Sequence, residues 1–219
     1  MKRDIVFLVA DKNMEEVFAA FLGRENAHRS LGCGEFRFDR KLDLHRHPRK
    51  DPGVYNEAHV FLEPFRDKYH CAVVVMDADW EGSPGAESIA EAISANMDGK
   101  WDRFAVIIID PELECWIWVS HRGAKTVEVH PAVVEAFRYN NNPPLHELLQ
   151  TNDNWDGERN KPVRPKEAAE EILRRTRTPR SSSLYTKIVE RVTIKGCNDA
   201  AFLSLLEKLR EWFPAGVTR

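Results

Sequence analysis

The stretch that most constrains this chain is FAVIIIDPELECWIW, residues 104–118. Phe104 to Ile109 are all apolar and largely β-branched, the composition of a strand buried on both faces. Asp110-Pro111 ends the run. A proline at a first helical position, Asp110 as N-cap, and Glu112 and Glu114 in the first turn predict the start of a helix. The segment thus reads as strand, tight turn and helix, with carboxylates at the carboxyl end of a buried strand. That edge is where open α/β sheets bind ligands.

The same arrangement occurs twice more. Residues 71–76, CAVVVM, run straight into Asp77-Ala78-Asp79-Trp80-Glu81-Gly82, and Ile5 to Ala10 run into Asp11-Lys12-Asn13-Met14-Glu15. In a parallel sheet such ends share one edge, so the strands ending at Ala10, Met76 and Ile109 are expected to be parallel neighbours around a single acidic site. Residues 14–23 place Met14, Val17, Phe18, Phe21 and Leu22 on one helical face, with Gly23 as a stop. Residues 35–45 alternate as a half-exposed strand, with a slip at Arg40. HPRKDPG reads as a loop carrying the turn signal Asp51-Pro52-Gly53, and helices follow over 54–66 and 86–97.

This β-α-β-α-β alternation predicts an α/β fold with a mostly parallel sheet flanked by helices. Residues 1–120 would form its core, 121–165 an insertion or lid, and 166–219 a helical C-terminal part packing on the core, all within one domain. In that last part Phe202, Leu205, Leu206, Leu209 and Phe213 share a face.

Composition adds limits. With 42% hydrophobic and 31% charged residues the chain is of the soluble globular class, and a net charge of −3 points to neither a DNA nor a membrane partner. The distribution says more. Residues 77–115 carry ten acidic and two basic residues, whereas 159–180 carry eight basic and three acidic. An acidic centre with a basic flank suits a metal site beside a polyanion channel; the plain alternative is two solvated faces. The four cysteines, Cys33, Cys71, Cys115 and Cys197, form no CxxC pair and suggest neither a disulfide framework nor a zinc cage. The N-terminal apolar run is too short for a signal peptide and no run approaches a membrane span, so the expected location is the cytoplasm, with no membrane partner.

The candidate chemistry lies in Asp11, Asp77, Asp79, Asp110, Glu112 and Glu114, with Glu15 and Glu81 nearby. Mg²⁺ takes oxygen ligands and keeps several waters, so two or three carboxylates at a sheet edge suffice, and clustered like charges favour a cation. Asp77-x-Asp79 leaves an extended segment on one side, suiting one ion or two ions flanking a phosphate. His45 and His47 form an HxH beside Arg46, Arg49 and Lys50, read either as phosphate contact and proton transfer or as a solvated strand edge. The run Arg159, Lys161, Arg164, Lys166, Arg174, Arg175, Arg177, Arg180 could contact phosphates. Its alternative is a helix surface paired as Glu170–Arg174 and Glu171–Arg175, beyond which Arg177 and Arg180 lie. Trp80, beside the DxD, could stack on a base or pack its loop.

Strand, acidic turn and helix followed by strand-DxD resembles the Toprim fold shared by topoisomerases, primases and several defence nucleases. IDPELECWIW is similar to the proline-glutamate-x-glutamate-x-tryptophan motif of small Toprim-like bacterial proteins, often encoded beside ATPases. Together VADKNME, HRHPRKDPG, IDPELECW, RPKEA and the cysteine-to-WFP ending resemble a small component of the methylation-associated anti-phage defence clusters. The resemblance implies a Mg²⁺-dependent (or Mn²⁺-dependent) nuclease subunit acting on nucleic-acid phosphodiesters beside other defence-system proteins. Asp11, Asp77 and Asp79 would be its metal set, with Asp110 or Glu114 completing or orienting it. His45, His47, Arg49, Arg164, Lys166, Arg177 and Arg180 would contact nucleic acid. Toprim enzymes usually carry a glutamate after the first strand where this chain has Asp11-Lys12, and Glu15 could substitute for it. Two alternatives stand beside this expectation. One is a non-catalytic module of the same fold binding nucleic acid or a larger partner. The other is a haloacid-dehalogenase-like phosphatase, whose DxD would follow an earlier strand.

Overall fold

The computed structural model describes residues 2–118, 120–122, 127–155, 161–192, 197 and 199–216. Contacts divide the chain into two compact units, Met1–Pro111 with Ile194–Arg219, and Glu112–Thr193.

In the first unit β1 (Arg3–Val9) passes through Asp11 into α1 (Lys12–Leu22). The helix starts there because Asp11 Oδ1 accepts the Met14 amide at 2.9 Å, satisfying a donor that a helix terminus leaves open. It buries Met14, Val17, Phe18, Phe21 and Leu22 and ends at Gly23, as the spacing predicts. Then come α2 (Ala27–Leu31), α3 (Arg40–Asp43), β2 (Leu44–Arg46), α4 (Lys50–Leu62) and a 3-10 turn at Glu63–Phe65. β3 (Tyr69–Asp77), α5 (Ala86–Met97) and β4 (Phe104–Ile109) follow.

The strands form one four-stranded parallel sheet in the order β2-β1-β3-β4. In its register Val9 pairs with Val75, and Asp77 with Ile109. The predicted strands are therefore parallel, with β3 between β1 and β4, and Asp11, Asp77 and Asp110 leave the same edge. β3 is buried along Cys71–Met76, consistent with its central place. α4 and α5 pack together and cover β1, β3 and β4.

Three local expectations are corrected. Residues 35–45 are not one strand: Asp39 accepts the Lys41 and Leu42 amides, turns the chain into α3, and leaves only Leu44–Arg46 extended. α4 begins at Lys50 rather than 54, so Asp51-Pro52-Gly53 forms its first turn instead of a loop. Pro111 is not a first helical residue and Asp110 is not an N-cap. The Asp110-Pro111 peptide is cis, and the helix after it, α6, covers only Glu114–Ile117.

In the second unit α6 is followed by the antiparallel pair β5 (Ser120–Arg122) and β6 (Val127–Val129), then α7 (Pro131–Ala136) and α8 (Leu145–Thr151). α9 (Pro165–Arg175) and α10 (Ser182–Arg191) complete it. Trp118 anchors this core: its ring lies 5.2 Å from that of Phe137, and its indole N–H donates to the Pro165 carbonyl at 2.8 Å. The chain closes in the first unit with α11 (Ala200–Trp212), which packs on β4 and α2 through Phe202, Leu205, Leu206 and Leu209. Among the described residues no helix is long and apolar enough to cross a membrane.

One contact fixes the start of α4. The His47 amide donates to the Val9 carbonyl at 3.0 Å, and the His47 ring, 3% exposed, lies where a Cβ on Gly53 would fall. Only a residue without a side chain lets the helix approach so closely. Gly53→Ala should therefore cost roughly 1–3 kcal/mol through overpacking and lower the melting temperature in a thermal scan. An unchanged melting temperature would show that α4 is not seated on His47.

Candidate functional site

The helix after β1 leads toward β2, whereas the helix after β3 leads toward β4. The crevice outside the carboxyl ends of β1 and β3 is thus the switch point of the sheet, the place where doubly wound sheets take ligands. Because Val9 and Val75 are in register, Asp11 and Asp77 each lie two residues beyond a paired position there. Both carboxylates are half-buried.

A third carboxylate joins them. Asp51, in the first turn of α4, accepts the Asp77 backbone amide at 3.0 Å through Oδ1. Burial raises the Asp51 carboxyl above the ordinary aspartate value, the Asp77 amide partly opposes that shift, and the negative charge of Asp11 adds to it. Asp51 was hidden in sequence by its turn-like Asp-Pro-Gly context. The available signal was an acidic residue ahead of a proline, a combination that also opens helices.

The other predicted residues are placed as follows. Asp79 and Asp110 are exposed at the same edge, where the Asp79 amide donates to the Pro111 carbonyl at 2.8 Å and extends the β3–β4 ladder. Glu15 lies 3.3 Å from Lys12 and from Arg40, and 3.8 Å from Arg46. Its neighbour Glu16 is held down to about 2, chiefly by its hydrogen bond with Arg40. Glu114 belongs to the second unit and is 4% exposed; it accepts the Tyr185 hydroxyl at 2.5 Å and Arg180 at 3.0 Å. Glu112 is buried there too, 3.3 Å from Lys166, and burial followed by the charge of Glu114 raises its carboxyl. Among the described residues no three His, Cys, Asp or Glu side chains converge closely enough to hold a metal ion as they stand.

Of the HxH, His45 is half-buried on the edge strand β2 and His47, just after it, is buried. The His45 ring lies 4.5 Å from Phe65 and its Nε2 is 2.9 Å from the Leu42 carbonyl. The His47 ring lies 5.3 Å from Phe61, its Nδ1 accepts the Arg49 amide at 3.2 Å, and burial lowers its pKa. Arg49 is ion-paired with Glu57.

The basic run is largely paired. Arg164 meets Glu167 at 2.7 Å and Arg175 meets Glu171 at 2.7 Å. Arg180, expected to lie beyond such pairs, holds both Glu114 and Glu170, so Glu170 serves Arg180 rather than Arg174. Arg174 and Arg177 are exposed and have no ion pair among the described residues. With Arg180, Leu173, Thr178 and Glu170 they line an open groove of about 440 Å³. Arg159 lies outside the described residues.

Comparison of the chain with protein-family models, curated proteins and solved structures gave no match.

The raised Asp51 carboxyl means that folding penalises its charged form. Its favourable contribution is present below the ordinary aspartate value of 3.8 and is lost as pH rises through the higher folded value. Asp51→Asn keeps an acceptor for the Asp77 amide and removes the charge. The variant should melt at or above the parent temperature at pH 7, with the difference shrinking as pH falls toward 3.8. A variant that is less stable than the parent by the same margin at every pH would refute this electrostatic account.

Proposed function

We propose that this protein is a divalent-cation-dependent, Toprim-like protein acting on nucleic-acid phosphodiesters, as a nuclease subunit in bacterial anti-phage defence. One observation carries the proposal: Asp11, Asp51 and Asp77 lie at the switch point of a parallel sheet, where Asp51 accepts the Asp77 backbone amide and its carboxyl is raised by burial and by the charge of Asp11. All three offer carboxylate oxygens, donors that suit Mg²⁺ or Mn²⁺, and a cation would relieve the repulsion. Asp11 and Asp77 would hold it, supported by Asp51 and by the exposed Asp79 and Asp110, with water or phosphate oxygens filling the remaining positions. When bound, such an ion supplies positive charge to a phosphoryl oxygen and acidifies a water.

The chain's own groups do the rest. Asp11, fixed as the cap of α1, and Asp77, fixed at the end of the central strand, present their carboxylates from rigid elements. Asp51 holds the backbone at Asp77, and burial inclines its carboxyl to keep a proton. Arg174 and Arg177, which have no ion pair among the described residues, would supply cations for phosphate contact. The associated partners are nucleic acid and other proteins of the defence system.

A second reading, a module that binds without catalysis, draws on Asp11. One of its oxygens is already committed to the Met14 amide, and among the described residues no three carboxylates converge as a ligand set.

Asp77→Asn separates the two. The parent should gain melting temperature on addition of Mg²⁺ and cleave nucleic acid. The variant should be at least as stable without the ion, gain nothing from it, and lose nearly all turnover. Full cleavage or full anti-phage protection by the variant would leave the binding module as the better account.

Replacing Arg174 and Arg177 together should weaken nucleic-acid binding across sequences and flatten its salt dependence by about one unit of slope per lost contact. An unchanged slope would assign these residues to solvation. Arg180 is unsuited to this test, because removing it strips a partner from buried Glu114.

A further inference from the structure

His47 sits where the edge strand β2 hands over to α4, and contacts on every side fix it there. Its amide donates to the Val9 carbonyl at 3.0 Å, at the end of β1. Its carbonyl accepts the Lys50 amide at 3.3 Å, and its Nδ1 accepts the Arg49 amide at 3.2 Å. The ring, 3% exposed, lies 5.3 Å from that of Phe61 and close against Gly53. The turn it builds is not a relaxed one. Lys50 stands at φ 50°, a left-handed conformation that lysine seldom adopts, so the surrounding bonds impose it.

The Arg49 bond fixes the chemistry of the ring. An imidazole nitrogen that accepts a hydrogen bond carries no proton, so the neutral ring bears its one proton on Nε2. The charged groups facing it are Glu57, whose carboxylate lies 3.9 Å from Nε2, and Arg49, itself paired with Glu57. β1 meets His47 through the uncharged Val9 carbonyl. Burial outweighs the attraction of Glu57, and Arg49 adds to it, so the ring takes a second proton less readily than an exposed histidine. A proton on Nδ1 sets one N–H donor against another. In a buried place that pair is costly, and the turn must open to relieve it. The same turn carries Asp51, whose Oδ1 accepts the Asp77 amide at 3.0 Å.

We propose that His47 is a positioning residue of the acidic edge: its neutral imidazole seats the first turn of α4 and so holds Asp51 against the Asp77 amide, and a proton on Nδ1 releases both. The edge is thus assembled at neutral pH and loosened in acid. This step stands on the contacts of the turn alone; its consequence for a bound cation rests on the phosphodiester reading.

The test is nuclear magnetic resonance on the full-length protein, following the His47 ring nitrogens and hydrogen exchange at the Asp77 amide as pH falls below 6.5. The parent ring should show its proton on Nε2 and take up a second below that value. Protection of the Asp77 amide should fall in step by roughly 2- to 13-fold, the range for one such hydrogen bond. His47→Asn sets its amide oxygen where Nδ1 lies and does not titrate, so protection should stay high and the step should vanish. His47→Gln sets its oxygen at the Nε2 position, leaves the Arg49 amide unserved, and should lose the protection at every pH. Both variants give up the packing on Phe61, so a merely space-filling role predicts equal losses. If both melt early, the parent's own titration decides the matter. Asp51→Asn keeps an acceptor for Asp77 without a titrating carboxyl, and the step should persist there. Asp77 protection that ignores the His47 titration, a neutral ring protonated on Nδ1, or equal losses in the two His47 variants would overturn the proposal. With the cation reading intact, Mg²⁺ stabilisation of the parent should decline over the same step; its absence at every pH counts against that reading alone.

Discussion

β3, seated between β1 and β4 with both hydrogen-bonding edges used, holds the acidic edge together. Its Cys71–Met76 core is fully buried, so the strand cannot slip without exposing apolar side chains. That register aligns the carboxyl ends of β1, β3 and β4. Parallel strands must be joined by crossovers, and each crossover helix starts near the edge its strand leaves. α1 opens directly after Asp11 and α4 shortly after β2. Carboxylates in the first turn of a helix or at its cap gain favourable interactions, each about 0.3–1 kcal/mol at an exposed site. The sheet thus gathers negative charge at one edge, and helix starts make part of that tolerable.

Much of this was legible in the chain. Apolar runs six residues long, each ending in an acid, state strand, direction and edge at once, which is why β1, β3 and β4 and the α/β class could be read directly. Amphipathic α1 and α5 were equally plain, because their apolar spacing is uninterrupted. The failures have a common cause. Around Asp39, Asp51 and Pro111 a single side chain or backbone contact decides the local structure, and propensity is silent about such contacts. Alternation over 35–45 is broken by hydrogen bonds to Asp39. The Asp-Pro-Gly turn signal is overridden by a helix that needs Gly53 against the His47 ring. His47 itself looked solvent-facing among charged neighbours, yet the chain buries it to seat α4.

The placement of partners explains why the acidic edge, and not the glutamates of PELE, is the candidate site. Buried charge is expensive, and elsewhere the chain supplies a cation for it. Asp43 is fully buried against Arg3, Glu112 meets Lys166, and Glu114 meets Arg180 with the Tyr185 hydroxyl. Each of these buried carboxylates has a cationic partner beside it, as stable buried ions require. Burial and the carboxylate it binds push the Tyr185 hydroxyl far above its ordinary value, so it remains a donor and keeps that network shut. Asp51 departs from the pattern. It is mostly buried, receives one backbone amide, and has a like charge nearby without an ion pair among the described residues. A fold that neutralises its other buried carboxylates, and leaves this one short of positive charge at the switch point of its sheet, has kept an open demand there. Under the proposed function a divalent cation would meet that demand, with water or phosphate oxygens in its remaining positions.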